Sequence, residues 1–281
     1  MRLGLVCAMT ALIHMLNTLA YSVRLGGVRT RRLAISLSLF NLMFLLASAA
    51  NTVQAPRLSS IVELSVNRAL ALSPHPLAAG ELVRQPFYRG QLALLARDIR
   101  LVIMAATAGT ALGTLLMPTF VSVFARAIVA FERLGSVPRL LWHALQPKNL
   151  LSICSSVRLP RPHHLGTVKN PSIPRNLLVL NTFVTAVYTT GVLSALYAGA
   201  LLPQFRSTAT LLSSVVNGAA TIVDPTAAVI TDQALRGQRP ERDVRSTAAF
   251  LALTRLLGTV LAQLLFVPAA SLIRWVTGLI V

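Results

Sequence analysis

Six stretches of mostly apolar residues, each about 20 residues or longer, most constrain the fold of this chain. They cover Leu3–Val23, Leu33–Val53, Ile99–Met117, Leu177–Leu202, Thr208–Leu235 and Ala249–Ile273. Runs of this length cross the hydrocarbon core of a bilayer as α-helices, which satisfy their backbone hydrogen bonds internally. The sequence therefore predicts an all-α, polytopic integral membrane protein with six transmembrane helices, forming a single membrane domain over residues 1–281.

The composition supports a membrane protein. Hydrophobic residues make up 54% of the chain and charged residues only 12%, whereas soluble domains are about one quarter charged. The net charge of +18 would also suit a nucleic-acid-binding protein. However, the arginines flank the apolar runs, so we expect contact with membrane lipids and no nucleic-acid partner.

The distribution of Arg and Lys sets the orientation. With the N-terminus outside, sixteen of these residues fall in inner loops and seven in outer segments. Because basic residues concentrate in cytoplasmic loops, both termini are predicted to lie outside and residues 118–175 to form a cytoplasmic segment. Cys7 and Cys154 then fall on opposite sides of the membrane, and no disulfide is expected.

The start of the cytoplasmic segment has two interpretations. Phe120, Phe124, Ile128 and Phe131 recur at helical spacing, which is typical of an amphipathic helix lying in the membrane interface. A cytoplasmic extension of the third span explains the same spacing equally well.

Polar side chains form stripes along the predicted spans. In the first span Thr10, His14, Asn17, Tyr21 and Arg24 share one helix face. Polar residues within a span pair helices together or line a pathway. For the set as a whole we favour a polar cavity, lined by His14, Asn17, Tyr21, Asn181, Tyr188, Asn217, Asp224 and Gln263.

Arginines accompany these stripes and indicate an anionic ligand. Guanidinium groups bind phosphate in bidentate geometry. The candidate anion-binding residues are Arg24, Arg29, Arg97, Arg100 and Arg255. Arg24 and Arg29 would lie at the inner end, and Arg97 and Arg100 at the outer end.

Two further features concern helix packing. Gly109 and Gly113 form a GxxxG pair, which lets a second helix approach closely; the second helix belongs either to this chain or to another copy in a homodimer. Asp224-Pro225 interrupts the fifth span, because proline lacks the backbone donor that a helix interior needs.

Catalytic motifs are missing from the sequence. It contains no HExxH, GxSxG or P-loop, and only eight carboxylates. We therefore predict no enzyme activity, no metal site and no cofactor.

Four segments resemble a known family: "AYSVRLGGVRTRRLAISLSLFN", "DIRLVIMAATAGTALGTLLMPTF", "NGAATIVDPTAAVITD" and "RLLGTVLAQLLFVPAA". They are similar to the Amj family of alternates to MurJ. The resemblance implies a multi-pass protein of the bacterial cytoplasmic membrane that moves lipid II from the inner to the outer leaflet for peptidoglycan synthesis. The arginines listed above would then bind the pyrophosphate of lipid II. The alternatives are a transporter of another polyprenyl-linked glycan, a membrane-embedded enzyme of polyprenyl-phosphate metabolism that uses Asp98, and a non-transporting scaffold for cell-wall enzymes.

Overall fold

The computed structural model describes residues 2–72, 79–155, 157–158, 173–218 and 224–281. All regular structure in these ranges is helical. The α-helices are α1 Arg2–Thr30, α2 Leu33–Ala71, α3 Ala79–Leu82, α4 Pro86–Leu134, α5 Val137–Leu145, α6 Pro147–Ser155, α7 Arg175–Leu201, α8 Arg206–Gly218, α9 Asp224–Leu235 and α10 Glu241–Ile280.

Five of the described helices, α1, α2, α4, α7 and α10, are long and apolar enough to cross a membrane. The predicted fifth span, Thr208–Leu235, contains the shorter helices α8 and α9, and residues 219–223 between them lie outside the described ranges. Asp224 begins α9, which places Pro225 in the first turn, where its missing N–H costs nothing. The structure therefore supports a polytopic helical protein with five candidate spans in its described part.

The helices extend well past the predicted span limits. α2 continues through Pro56 to Ala71, and α4 runs for 49 residues, about 74 Å at 1.5 Å per residue. The helices continue because apolar side chains recur outside the predicted spans. Val62 and Val66 of α2 lie in one buried cluster with Tyr88 of α4. At its other end α4 is continuous through Phe131, which fits a helical extension of the third span.

Glycines fix the closest helix contacts. A Cβ on Gly109 of α4 would overlap the carbonyl oxygen of Ala11 on α1, and one on Gly113 would lie 2.8 Å from the Cβ of Thr18. The GxxxG face therefore packs on α1 of the same chain and gives no support to a homodimer. In the same way, a Cβ on Gly258 of α10 would lie 2.5 Å from the carbonyl oxygen of Thr182 on α7.

These contacts divide the bundle into two halves. α1 packs most extensively on α4 and α2, and α10 packs most extensively on α7. We call the boundary between α1–α2–α4 and α7–α8–α10 the seam. Near the N-terminal end of α1 the seam is filled by an apolar cluster in which Val6, Leu95 and Ile103 meet Leu193 and Phe266.

The glycine contacts generate a test of the fold. Gly109→Ala should destabilise the protein by roughly 1–3 kcal/mol, because the added methyl group has no room against Ala11. Gly90→Ala is the matched control, since a Cβ on Gly90 meets nothing within 4 Å, and alanine favours the helix by about 1 kcal/mol. The measurement is thermal unfolding of each purified variant in detergent; equal stability of the two variants would contradict the packing.

Candidate functional site

The polar stripe of α1 faces the interior of the bundle. His14, Asn17, Tyr21 and Arg24 are each at most 6% exposed. On the facing helices Asn181 of α7 and Arg255 of α10 are also buried. Because Tyr21 contacts both of them, the stripe belongs to one buried polar cluster at the seam.

Hydrogen bonds within this cluster cross the seam. The Tyr21 hydroxyl donates to Asn181 Oδ1 at 3.5 Å and accepts from Arg255 Nη1 at 3.5 Å. Asn181 Nδ2 in turn donates to the Leu251 carbonyl at 2.9 Å and to Thr254 Oγ1 at 2.8 Å. Side chains from α1, α7 and α10 are thereby joined at one level of the bundle.

A second group of contacts lies further along α1 towards its N-terminus. The His14 and Tyr188 rings have centroids 6.5 Å apart. His14 Nδ1, Asn17 Oδ1 and Arg255 Nε are buried and make no hydrogen bond with the described part of the chain. Buried polar atoms are normally paired, so these three atoms give the cluster an unused capacity to bind a polar group.

Arg24 lies nearer the C-terminal end of α1. Its guanidinium carbon sits 4.3 Å from the centroid of the Phe40 ring on α2, a cation–π contact. Arg24 and Tyr21 also border a small cavity with Thr231 of α9 and Thr247 of α10. The cavity volume is about 10 Å³, enough for about one water molecule, so the site is closed in this structure.

The buried threonines of the membrane helices behave differently from the other buried polar residues. Thr10, Thr189 and Thr247 each donate to the carbonyl four residues earlier in their own helix. A threonine can thus be satisfied inside a membrane helix without a partner or cavity. The amide, imidazole and guanidinium groups of the cluster are not satisfied in this way within their own helix. They are therefore the main argument for a functional site.

Four of the predicted site residues lie away from the cluster. Arg29 pairs with Glu241 at 2.9 Å, and Arg97 pairs with Asp98 at 3.3 Å. Arg100 Nη1 donates to the Gln263 carbonyl at 3.0 Å, and Gln263 Nε2 donates to the Arg100 carbonyl at 2.9 Å. Arg97, Arg100 and the Arg29–Glu241 pair are at least partly exposed.

The side chains of Asn217 and Asp224 are outside the part of the structure that can be described. The structure therefore brings some of the predicted site residues together and places the others apart from them. His14, Asn17, Tyr21, Arg24, Asn181, Tyr188 and Arg255 line the seam, while the Arg100–Gln263 contact joins the two halves at a separate point.

Sequence reasoning missed Thr254 and Gln54. Thr254 accepts a hydrogen bond from Asn181, and Gln54, on α2, donates to Thr10 Oγ1 and is 4% exposed. Both residues lie off the faces on which stripes were counted, although Thr254 directly precedes Arg255 in the sequence. In the described residues, no group of three His, Cys, Asp or Glu side chains is placed to hold a metal ion.

Comparison with known proteins identifies the family. The family model described as Amj, alternate to MurJ, matches residues 9–277. A protein of Bacillus subtilis (strain 168) named lipid II flippase Amj is 35% identical over 272 residues, which are 95% of this chain and 93% of that protein. No solved structure matches.

A family match over nearly the whole length agrees with the apolar helices that the structure shows. The chain is therefore a multi-pass protein of the bacterial cytoplasmic membrane, and it belongs to the Amj family.

Proposed function

We propose that this protein is a lipid II flippase, which carries the undecaprenyl-pyrophosphate-linked peptidoglycan precursor from the inner to the outer leaflet. The observation that carries the proposal is the 35% identity to lipid II flippase Amj over 95% of the chain. The buried cluster at the seam supports it, because a transported headgroup must be kept away from hydrocarbon. The protein then acts as a transporter rather than an enzyme.

The proposed topology has six spans with both termini outside, α8 and α9 together forming the fifth span. In this orientation the C-terminal end of α1 lies at the cytoplasmic face. Arg24 is then the innermost arginine of the cluster. Arg255 follows towards the outer face, because it contacts Tyr21, which is about 4.5 Å further along α1. Arg100 comes last, beside Gln263, about 12 Å beyond Arg255 along α10.

These three arginines suggest a stepwise route for the pyrophosphate. Arg24 would receive it from the cytoplasmic leaflet, Arg255 would hold it near the middle of the bundle, and Arg100 would release it outside. The polyprenyl tail would remain in lipid beside the seam. Guanidinium groups suit this role because they stay charged when buried and bind phosphate oxygens in pairs.

Transport along this route requires the seam to open. The cavity at Arg24 holds about 10 Å³, far less than the ~300–1,000 Å³ of a typical ligand pocket. At the inner end the two halves are joined by the Arg29–Glu241 ion pair, whose side chains are 35% and 40% exposed, and by a small apolar cluster of Leu25, Val121 and Val244. Exposed ion pairs are weak. At the outer end the large apolar cluster closes the seam, so the inner end should open first.

The arginine route predicts a transport defect in single variants. Arg24→Gln and Arg255→Gln should each slow lipid II translocation in proteoliposomes roughly tenfold or more, because a charge-assisted contact with the substrate is lost. Arg255→Lys should retain part of the activity, since lysine keeps the positive charge but cannot bind phosphate oxygens in the bidentate geometry of a guanidinium group. Thermal unfolding and vesicle incorporation show whether a variant still folds.

Arg274→Gln is the control for this series, because it removes the same charge from an exposed position on α10. It should transport lipid II at the normal rate. Full activity of folded Arg24→Gln and Arg255→Gln would remove these residues from the route. Release of a reaction product by detergent-solubilised protein, with no vesicle present, would instead favour the enzyme of polyprenyl-phosphate metabolism.

The charge of the substrate predicts a dependence on membrane potential. An anionic pyrophosphate that moves outward travels down an inside-negative potential and gains about 2.3 kcal/mol per charge per 100 mV if it crosses the whole field. Collapsing an imposed potassium diffusion potential with an ionophore should therefore slow net export in proteoliposomes. An export rate that does not change with the potential would contradict this driving force.

A further inference from the structure

A second cavity lies outside the polar cluster, between α4, α5 and the C-terminal end of α1. Its volume is about 490 Å³, and it is lined by Thr30, Ala125, Arg126, Val129, Ala130, Arg133, Leu134 and His143. Typical small-molecule sites have volumes of about 300–1,000 Å³. This cavity is therefore large enough for a ligand, whereas the one beside Arg24 is not.

The chain builds this cavity with a tight turn. Gly135 ends α4 in the left-handed conformation, with φ +63°, and its N–H donates to the Phe131 carbonyl. The reversal brings α5 back along α4, where Leu140 joins the buried cluster that contains Ile128. His143, one turn after Leu140, then closes one side of the cavity.

The lining of this cavity is amphiphilic. Arg126, Val129, Ala130 and Arg133 recur at helical spacing along one face of α4, with the two arginines about 10.5 Å apart along the axis. Small apolar side chains form the floor between them. A cavity with cationic ends and an apolar floor matches a phosphate group attached to a hydrocarbon chain.

Carboxylates near this end of the molecule already have cationic partners. Glu132, the neighbour of Arg133, pairs with Arg32 at 2.5 Å, and Glu241 pairs with Arg29 and Arg245. Among the residues that the structure describes, no carboxylate lines the cavity. The described lining therefore carries the positive charges of Arg126 and Arg133, which attract an anion.

The exposed surface of α5 indicates a membrane environment. Trp142 is 75% exposed and Leu145 is 65% exposed, while Arg139 and Lys148 are exposed close by. Exposed tryptophan and leucine beside basic residues are typical of a helix that lies in the lipid interface. By the positive-inside count this is the cytoplasmic leaflet, and basic pockets between membrane helices on that side bind anionic lipid headgroups.

We propose that the cavity between α4 and α5 binds the headgroup of an anionic glycerophospholipid from the cytoplasmic leaflet, with Arg126 and Arg133 contacting its phosphate. This site is separate from the proposed transport route, because the described lining of the cavity and the described seam cluster have no residue in common. The cavity volume favours a small phospholipid headgroup, since a disaccharide with five amino acids is larger than a drug-sized ligand.

Native mass spectrometry of the purified full chain tests this site with phosphatidylglycerol and phosphatidylcholine as probes. The unmodified protein should retain phosphatidylglycerol in preference to phosphatidylcholine. The double variant Arg126→Gln/Arg133→Gln should weaken phosphatidylglycerol binding roughly thirtyfold, as expected for the loss of two arginines. Val129→Phe should also weaken it, because the larger side chain fills the cavity without changing its charge.

The matched control is Arg139→Gln/Lys148→Gln, which removes two exposed charges from the same end of the molecule but none from the cavity lining. This variant should bind phosphatidylglycerol normally. Equal weakening in both double variants, or normal binding by Arg126→Gln/Arg133→Gln and Val129→Phe, would overturn the proposal. Displacement of phosphatidylglycerol by undecaprenyl pyrophosphate would also overturn it, by assigning the cavity to the transported lipid.

Discussion

The burial of amide, imidazole and guanidinium groups where α1 meets α7 and α10 is the constraint on which this structure depends. In a bilayer such groups find no water, so each must bind a protein partner or enclose a polar site. Tyr21 meets this requirement by contacting both Asn181 and Arg255 Nη1, whereas Arg255 Nε makes no hydrogen bond with the described part of the chain. His14 Nδ1 and Asn17 Oδ1 do not meet it within the described residues, which is why we place the site here.

Helix contacts within each half of the bundle differ in kind from the contacts across the seam. Within each half, glycines allow close backbone packing, as at Gly109 on Ala11 and Gly258 on Thr182. Across the seam, many of the contacts are polar: Tyr21–Asn181, Arg100–Gln263 and Arg29–Glu241. Hydrogen bonds between membrane helices are worth only about 0.6 kcal/mol on average. Close packing therefore holds each half together, while the polar contacts of the seam can separate at modest cost. Near the N-terminal end of α1 the apolar cluster still joins the two halves.

Much of this arrangement was predictable from periodicity. Because i, i+3 and i+4 positions share a helix face, the stripe from His14 to Arg24 predicted a common buried face, and the structure places all four residues inside. The GxxxG pair predicted a close helix contact, which Gly109 makes with α1. The family resemblance, read from four segments, is confirmed over residues 9–277.

Other features could not be derived from the sequence. Span limits set by hydropathy stop at the membrane edge, whereas α2 and α4 continue into a buried apolar cluster that contains Val62, Val66 and Tyr88. Periodicity along single helices also does not show which stripes meet. It groups Arg29 and Arg97 with Arg255, although Arg29 pairs with Glu241 and Arg97 pairs with Asp98. Partner choice depends on how helices rotate against each other, and that is set by packing between distant segments.

Opening of the seam at its cytoplasmic end is the central claim, and pulsed electron paramagnetic resonance tests it most directly. Spin labels on exposed cysteines at positions 31 and 242 report the separation of α1 from α10, and labels at 31 and 133 report motion within one half; Cys7 and Cys154 are replaced beforehand. Adding lipid II should broaden or lengthen the 31–242 distance and leave the 31–133 distance unchanged. An unchanged 31–242 distance in protein that is actively transporting lipid II would contradict the account.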